Sequence, residues 1–85
     1  MEINEFISEI IYYFKYFKMI EIDNKKDKIL IATEIADRLE NMVFLENLVA
    51  LFQLGIRKKS MNEQNQKRLD VLLVELKNRK TMLES

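Results

Sequence analysis

Residues 42–56 read MVFLENLVALFQLGI, and Glu46 is the only charge in that run. On a helix, the apolar side chains of such a run point in every direction. A surface helix keeps one polar face, whereas a helix apolar all round is enclosed on all sides. The run therefore predicts a helix inside a bundle. It also raises the question of what encloses it, because the chain has only 85 residues.

Working outward, the composition narrows the answers. A domain of this size buries only about two-thirds of its unfolded surface. Small scaffolds add disulfides, a metal or another chain. The sequence has no cysteine and no histidine, which removes disulfides, thiolate metal sites, the commonest metal ligand and the commonest general base. Another chain is the option left. There is no proline and a single glycine, Gly55, and 33% of the residues are charged. That composition belongs to a helical bundle and is too apolar for a disordered chain. Glu2 and Glu5 stand where a signal peptide would be basic. The longest apolar stretch falls short of the roughly 20 residues that a bilayer span needs. A cytoplasmic protein without a membrane span is the expectation.

The formal charge is zero, so no global basic field attracts nucleic acid. The zero conceals an asymmetry. Residues 1–23 carry five acids and two bases, and residues 57–85 carry eight bases and four acids. Opposite signs at the two ends favour antiparallel packing of the first and last segments, or head-to-tail contact between chains. A solvated face on each helix is the simpler reading, since exposed pairs contribute under about 1 kcal/mol.

Three helical segments are expected, over about residues 3–20, 27–54 and 60–83. In the first, Ile3, Phe6, Ile7, Ile10, Phe14 and Phe17 recur at three- and four-residue steps, with Tyr13, Tyr16 and Ile20 widening the stripe. Early Glu2, Glu5 and Glu9 and late Lys15 and Lys18 suit the helix dipole. The second begins at Asn24 or Asp27, either of which can cap it, and continues as Ile31, Ile35, Leu39 and Met42 at helical spacing. Gly55 ends it in the left-handed position. Glu34 and Arg38 form a favourable i,i+4 pair. The third opens on Ser60-Met61-Asn62-Glu63, which reads as a capping box. Leu69, Leu72, Leu73, Leu76 and Leu83 are its stripe, and Asn62 to Arg68 should project into solvent. A competing α+β reading makes residues 19–31 a β-hairpin, from Met19–Asp23 and Lys28–Ile31. Ile29 to Ala32 does not alternate, which favours the helix.

The constellations that could carry chemistry are weak. Glu2/Glu5, Glu5/Glu9 and Glu34/Asp37 each share a helical face and could hold Mg²⁺; Glu2/Glu5 with Glu34/Asp37 resembles the paired acids of small all-helical nucleotide pyrophosphatases. No loop for phosphates accompanies them. The aromatic and basic run Tyr12 to Lys18 scatters around a helix and makes no flat platform for bases. Ala32 to Leu39 resembles the first helix of a helix-turn-helix, yet the next segment, Val43 to Leu54, lacks the polar side chains a reading helix needs. No serine has a histidine to activate it. Neither an enzyme nor a cofactor is expected.

The all-α reading is therefore a three-helix bundle, with the second helix as its spine, completed by dimerisation. Phe44, Leu45, Leu48, Leu51 and Phe52, with Phe14 and Phe17, are the expected partner or dimer interface. Arg57, Lys58, Lys59, Lys67 and Arg68 are the expected contact for an acidic partner or phosphate. The functional expectation is a non-catalytic interaction module: an adaptor, inhibitor or immunity-type factor. The alternative is a small nucleic-acid-binding regulator using the basic segment 57–68. Leu48-Val49, the basic turn, the polar helix start and the leucine stripe are together similar to the small helical bacteriocin immunity proteins. That likeness spans about half the chain, without a diagnostic motif, and implies a helical protein that protects by binding.

Overall fold

In the computed structural model, residues 3–19 and 27–84 are described. They form three α-helices: α1 (Ile3–Lys18), α2 (Lys28–Gln53) and α3 (Glu63–Glu84). A short 3₁₀ turn (Lys58–Ser60) lies between the last two. No strand is present among the described residues. Lys28–Ile31, the second strand of the hairpin reading, is the first turn of α2. Residues 20–26 and Asn24 within them, together with Glu2, lie outside the described residues.

The ends of α2 follow from single side chains. Asp27 caps its start, its carboxylate accepting from the Ile29 N–H at 2.7 Å. At the other end the Gly55 N–H donates to the Phe52 carbonyl at 3.0 Å and the Ile56 N–H to the Leu51 carbonyl at 3.1 Å. That pair of bonds is a Schellman motif. Its left-handed residue is Gly55 at φ +90, where any side chain would meet the Cβ penalty.

The start of α3 differs from expectation. Ser60 ends the 3₁₀ turn, and its N–H donates to the Arg57 carbonyl at 2.9 Å. Asn62 is the cap: its side-chain oxygen accepts from the Asn65 N–H at 2.8 Å. The 3₁₀ turn consumes the residues that a box at Ser60 would need, so the helix begins at Glu63. Its polar first turns are also less free than expected. The Gln66 amide donates to the Met61 carbonyl at 2.8 Å, and Arg68 reaches α2.

The core joins all three helices through Ile7, Ile10 and Phe17 of α1, Leu45, Leu48 and Phe52 of α2, and Leu69, Leu72 and Leu76 of α3. The helices run up, down and up. Phe6, at the start of α1, meets Phe52, at the end of α2, with ring centroids 5.1 Å apart at 64°. Glu9 pairs with Lys77 at 3.5 Å. One turn further along both helices, Lys80 sits over the Tyr12 ring at 4.2 Å. So α1 and α3 are parallel, not antiparallel as the charge asymmetry suggested. Parallel alignment follows because the chain reverses direction twice between α1 and α3.

The spine is α1, not α2. It packs closely on both other helices, and its apolar stripe is the most concentrated of the three. Leu83 continues the α3 stripe but stays exposed in the last turn, as do Val71 and Val74 on α3's outer side. No helix among the described residues is long and apolar enough to cross a membrane.

Candidate functional site

One side of the run at 42–56 is enclosed by its own chain, and the other side, with Val43, Leu51, Leu54 and Ile56, is exposed. Leu45, Leu48 and Phe52 are buried in the core, as is Phe17. Phe14 and Phe44 are half-buried against it, and Leu51 is exposed. Most of the residues expected at a partner interface are thus interior to one molecule.

A further uncovered apolar surface lies earlier on the same helix. At about 100° per residue, Leu45, Leu48 and Phe52 share one side of α2. In the N-terminal half that same side carries Glu34, Arg38 and Asn41. The apolar residues Ala32, Ile35, Ala36, Leu39 and Val43 occupy the opposite side, and all are exposed. Leu39 is 57% accessible and Val43 55%. Met42, on the border, is half-buried against the core. The stripe Ile31, Ile35, Leu39, Met42 is helical as expected, but Ile35 and Leu39 are exposed and only Ile31 and Met42 are half-buried. Because α2 spans about 39 Å at 1.5 Å per residue and α1 about 24 Å, α2 outreaches its cover. Ile29, near its start, is 76% accessible.

Arg68 explains how α2 and α3 are held where they meet. Its guanidinium donates to the Asn41 side-chain oxygen at 3.1 Å, lies 3.5 Å from the Glu40 carboxylate and stacks 4.2 Å from the Phe44 ring centre. It is a clasp between two helices of the same chain. Lys58 pairs with Asp70 and approaches the Phe6 ring at 5.8 Å. Lys67 pairs with Glu63 at 3.6 Å. Of the five basic residues expected to meet an acidic partner, three therefore have acidic partners in their own chain. Arg57 and Lys59 remain, on the rim of an open groove of about 810 Å³ with Ile3, Phe6 and Phe52 in its lining.

Two further groupings have simple physical accounts. The Glu75–Arg79 pair, bonded at 2.7 and 3.1 Å, is an i,i+4 brace on α3. Tyr12, Tyr16 and Lys80 form an aromatic and cationic cluster on the α1–α3 side. The Lys80 ammonium, hydrogen-bonded to Tyr12, holds the Tyr12 phenol below its ordinary value, and the bond with Tyr16 acts in the same sense. The same bonds raise Tyr16 and Lys80 above theirs. Tyr12 is exposed, and Tyr16 and Lys80 are half-buried. Among the described residues, no three acidic side chains converge to hold a metal ion. Glu5 is exposed, and Glu34 lies on the bundle side of α2 while Asp37 is exposed; the Glu2 part of the acid pairing lies outside the described residues.

The inverted face of α2 has no motif in the sequence, because both of its sides are apolar somewhere along its length. Its signal is a change of side: the apolar residues before position 43 and the buried ones after it sit on different faces of one helix. Comparison with protein-family models, with curated proteins and with solved structures finds no match, so the surface stands on its own chemistry.

Proposed function

We propose that this chain is a small non-catalytic protein-interaction module, acting as an adaptor, an inhibitor or an immunity-type factor through the outward face of the N-terminal half of α2. The observation that carries the reading is the inversion on that helix. Ala32, Ile35, Ala36, Leu39 and Val43 are presented outward while Glu34, Arg38 and Asn41 take the bundle side. Contiguous apolar patches on a small protein mark interaction sites, and an apolar helix stripe read at i, i+3, i+4 and i+7 is a common form of them. A regulator that binds nucleic acid through residues 57–68 is less well supported, because Lys58, Lys67 and Arg68 are paired with Asp70, Glu63 and Glu40.

A photocrosslinking side chain placed at Leu39 tests the reading in cells of the native host. It is expected to capture a discrete protein, a second copy of the chain included. The same group at Val71, exposed on α3, serves as the control. Equal, diffuse labelling from both positions, or none from Leu39, would overturn the proposal.

A further inference from the structure

Resting on that reading of α2 as a docking face, we infer that its occupant is a second copy of the same helix, paired antiparallel in one register centred on Asp37. The seam is Lys28, Ala32, Ile35, Leu39, Met42 and Glu46, which follow one another at alternating steps of four and three residues. That is the spacing of a coiled-coil seam. It closes on itself when one copy is reversed. Lys28 and Glu46 lie nine residues either side of Asp37, Ala32 and Met42 five, and Ile35 and Leu39 two. In the reversed copy, Lys28 faces Glu46, Ala32 faces Met42, and Ile35 faces Leu39. Each small residue meets a large one, as facing layers require, and each charge meets its opposite.

The charges choose the register. Lys28 and Glu46 are exposed, and among the described residues neither belongs to an ion pair. A parallel pair would set Lys28 against Lys28 and Glu46 against Glu46, and like charges facing each other are unfavourable. Sliding the antiparallel pair by one heptad sets Lys28 against Leu39 in one direction and Glu46 against Ile35 in the other. Only the register centred on Asp37 leaves no charge against an apolar residue. Arg38 approaches its own copy beside the axis on the bundle side, where Glu34 lies one turn away with the opposite sign. Ile29, Ala36 and Val43 border the other side of the seam and pair among themselves. The seam is about 27 Å long, a short contact, so the dimer is expected to dissociate on dilution.

The test uses the full chain and begins with sedimentation across concentrations. A reversible dimer is expected, and Leu39→Glu should leave a helical monomer with at least ten-fold weaker association. Val71→Glu should associate as the native chain does. Glu46→Lys should weaken the dimer, and adding Lys28→Glu to it should restore it. Because the sequence has no cysteine, the orientation is read directly with Lys28→Cys and Glu46→Cys chains and oxidised glutathione. The mixture should crosslink as a heterodimer, and neither variant alone should crosslink well. Self-crosslinking of each single variant would overturn the antiparallel register. A native chain that stays monomeric at several hundred micromolar would overturn self-pairing. If Leu39 then still captures a different protein in the host, the docking face stands and only its occupant was wrong. If it captures nothing, both proposals fall.

Discussion

Single side chains decide where the helices of this chain begin and end. Asn62 supplies the oxygen for the free N–H groups of α3, whereas Ser60 is held in the preceding 3₁₀ turn. Asn62→Ala is expected to destabilise the fold by about 1 kcal/mol, the usual cost of losing a cap, and Ser60→Ala by much less. Urea denaturation of the two variants checks the contrast; equal losses would return the cap to Ser60. The Tyr12, Tyr16 and Lys80 cluster makes a second residue-scale prediction. With Tyr12 lowered and Tyr16 raised, an ultraviolet titration should show Tyr12 ionising first as pH rises. Lys80→Met should move Tyr12 back towards its ordinary range. The sign for stability is set by each direction. Lys80, raised when folded, contributes fully below its unfolded pKa and loses the contribution as pH rises through the folded one. Tyr12, lowered when folded, contributes above its unfolded pKa and loses the contribution as pH falls through the folded one.

At the scale of elements, α2 works as two helices in sequence. Its C-terminal half lies in the core through Leu45, Leu48 and Phe52, and its N-terminal half turns its apolar side outward. The Arg68 clasp sits between the two regimes, at Asn41 and Phe44. Its removal by Arg68→Ala should cost about 1 kcal/mol, the size of an exposed cation–π contact with a modest ion pair. Hydrogen exchange should quicken in the first turns of α3 more than in α1. Uniform quickening across the chain would mean that Arg68 acts through global stability alone.

At the scale of the whole molecule, the core among the described residues is nine buried side chains drawn from three helices, and a domain of 85 residues buries a small enough share of its surface to leave a narrow margin. Leu45→Ala removes a side chain with no accessible surface and should cost about 2–5 kcal/mol, enough to unfold the chain. Leu39→Ala, on the outward face, should leave the helical signal intact at low concentration. Circular dichroism melts of the two variants make the comparison. Similar losses from both would place Leu39 in the core and remove the docking face.

The sequence by itself determined the helices and much of their local chemistry, the cap of α3 excepted, which reads as Ser60 and lies at Asn62. The three-residue and four-residue recurrence of Ile7, Ile10 and Phe17, and of Leu69, Leu72 and Leu76, depends only on helix geometry. The Asp27 cap and the Gly55 stop depend only on neighbouring backbone groups. Both were legible because their physical causes lie within one turn of chain. What the tertiary structure decided is which apolar side of α2 is inside. Leu48 and Leu39 are alike in sequence, and their burial is set by how far α1 and α3 reach along a longer helix. The same holds for the basic residues: Lys58 and Arg68 look free in the sequence, and Asp70 and Glu40 reach them only once the chain is folded. Reach and packing are properties of the assembled helices. They turned a question about enclosing residues 42–56 into one about what covers residues 28–46.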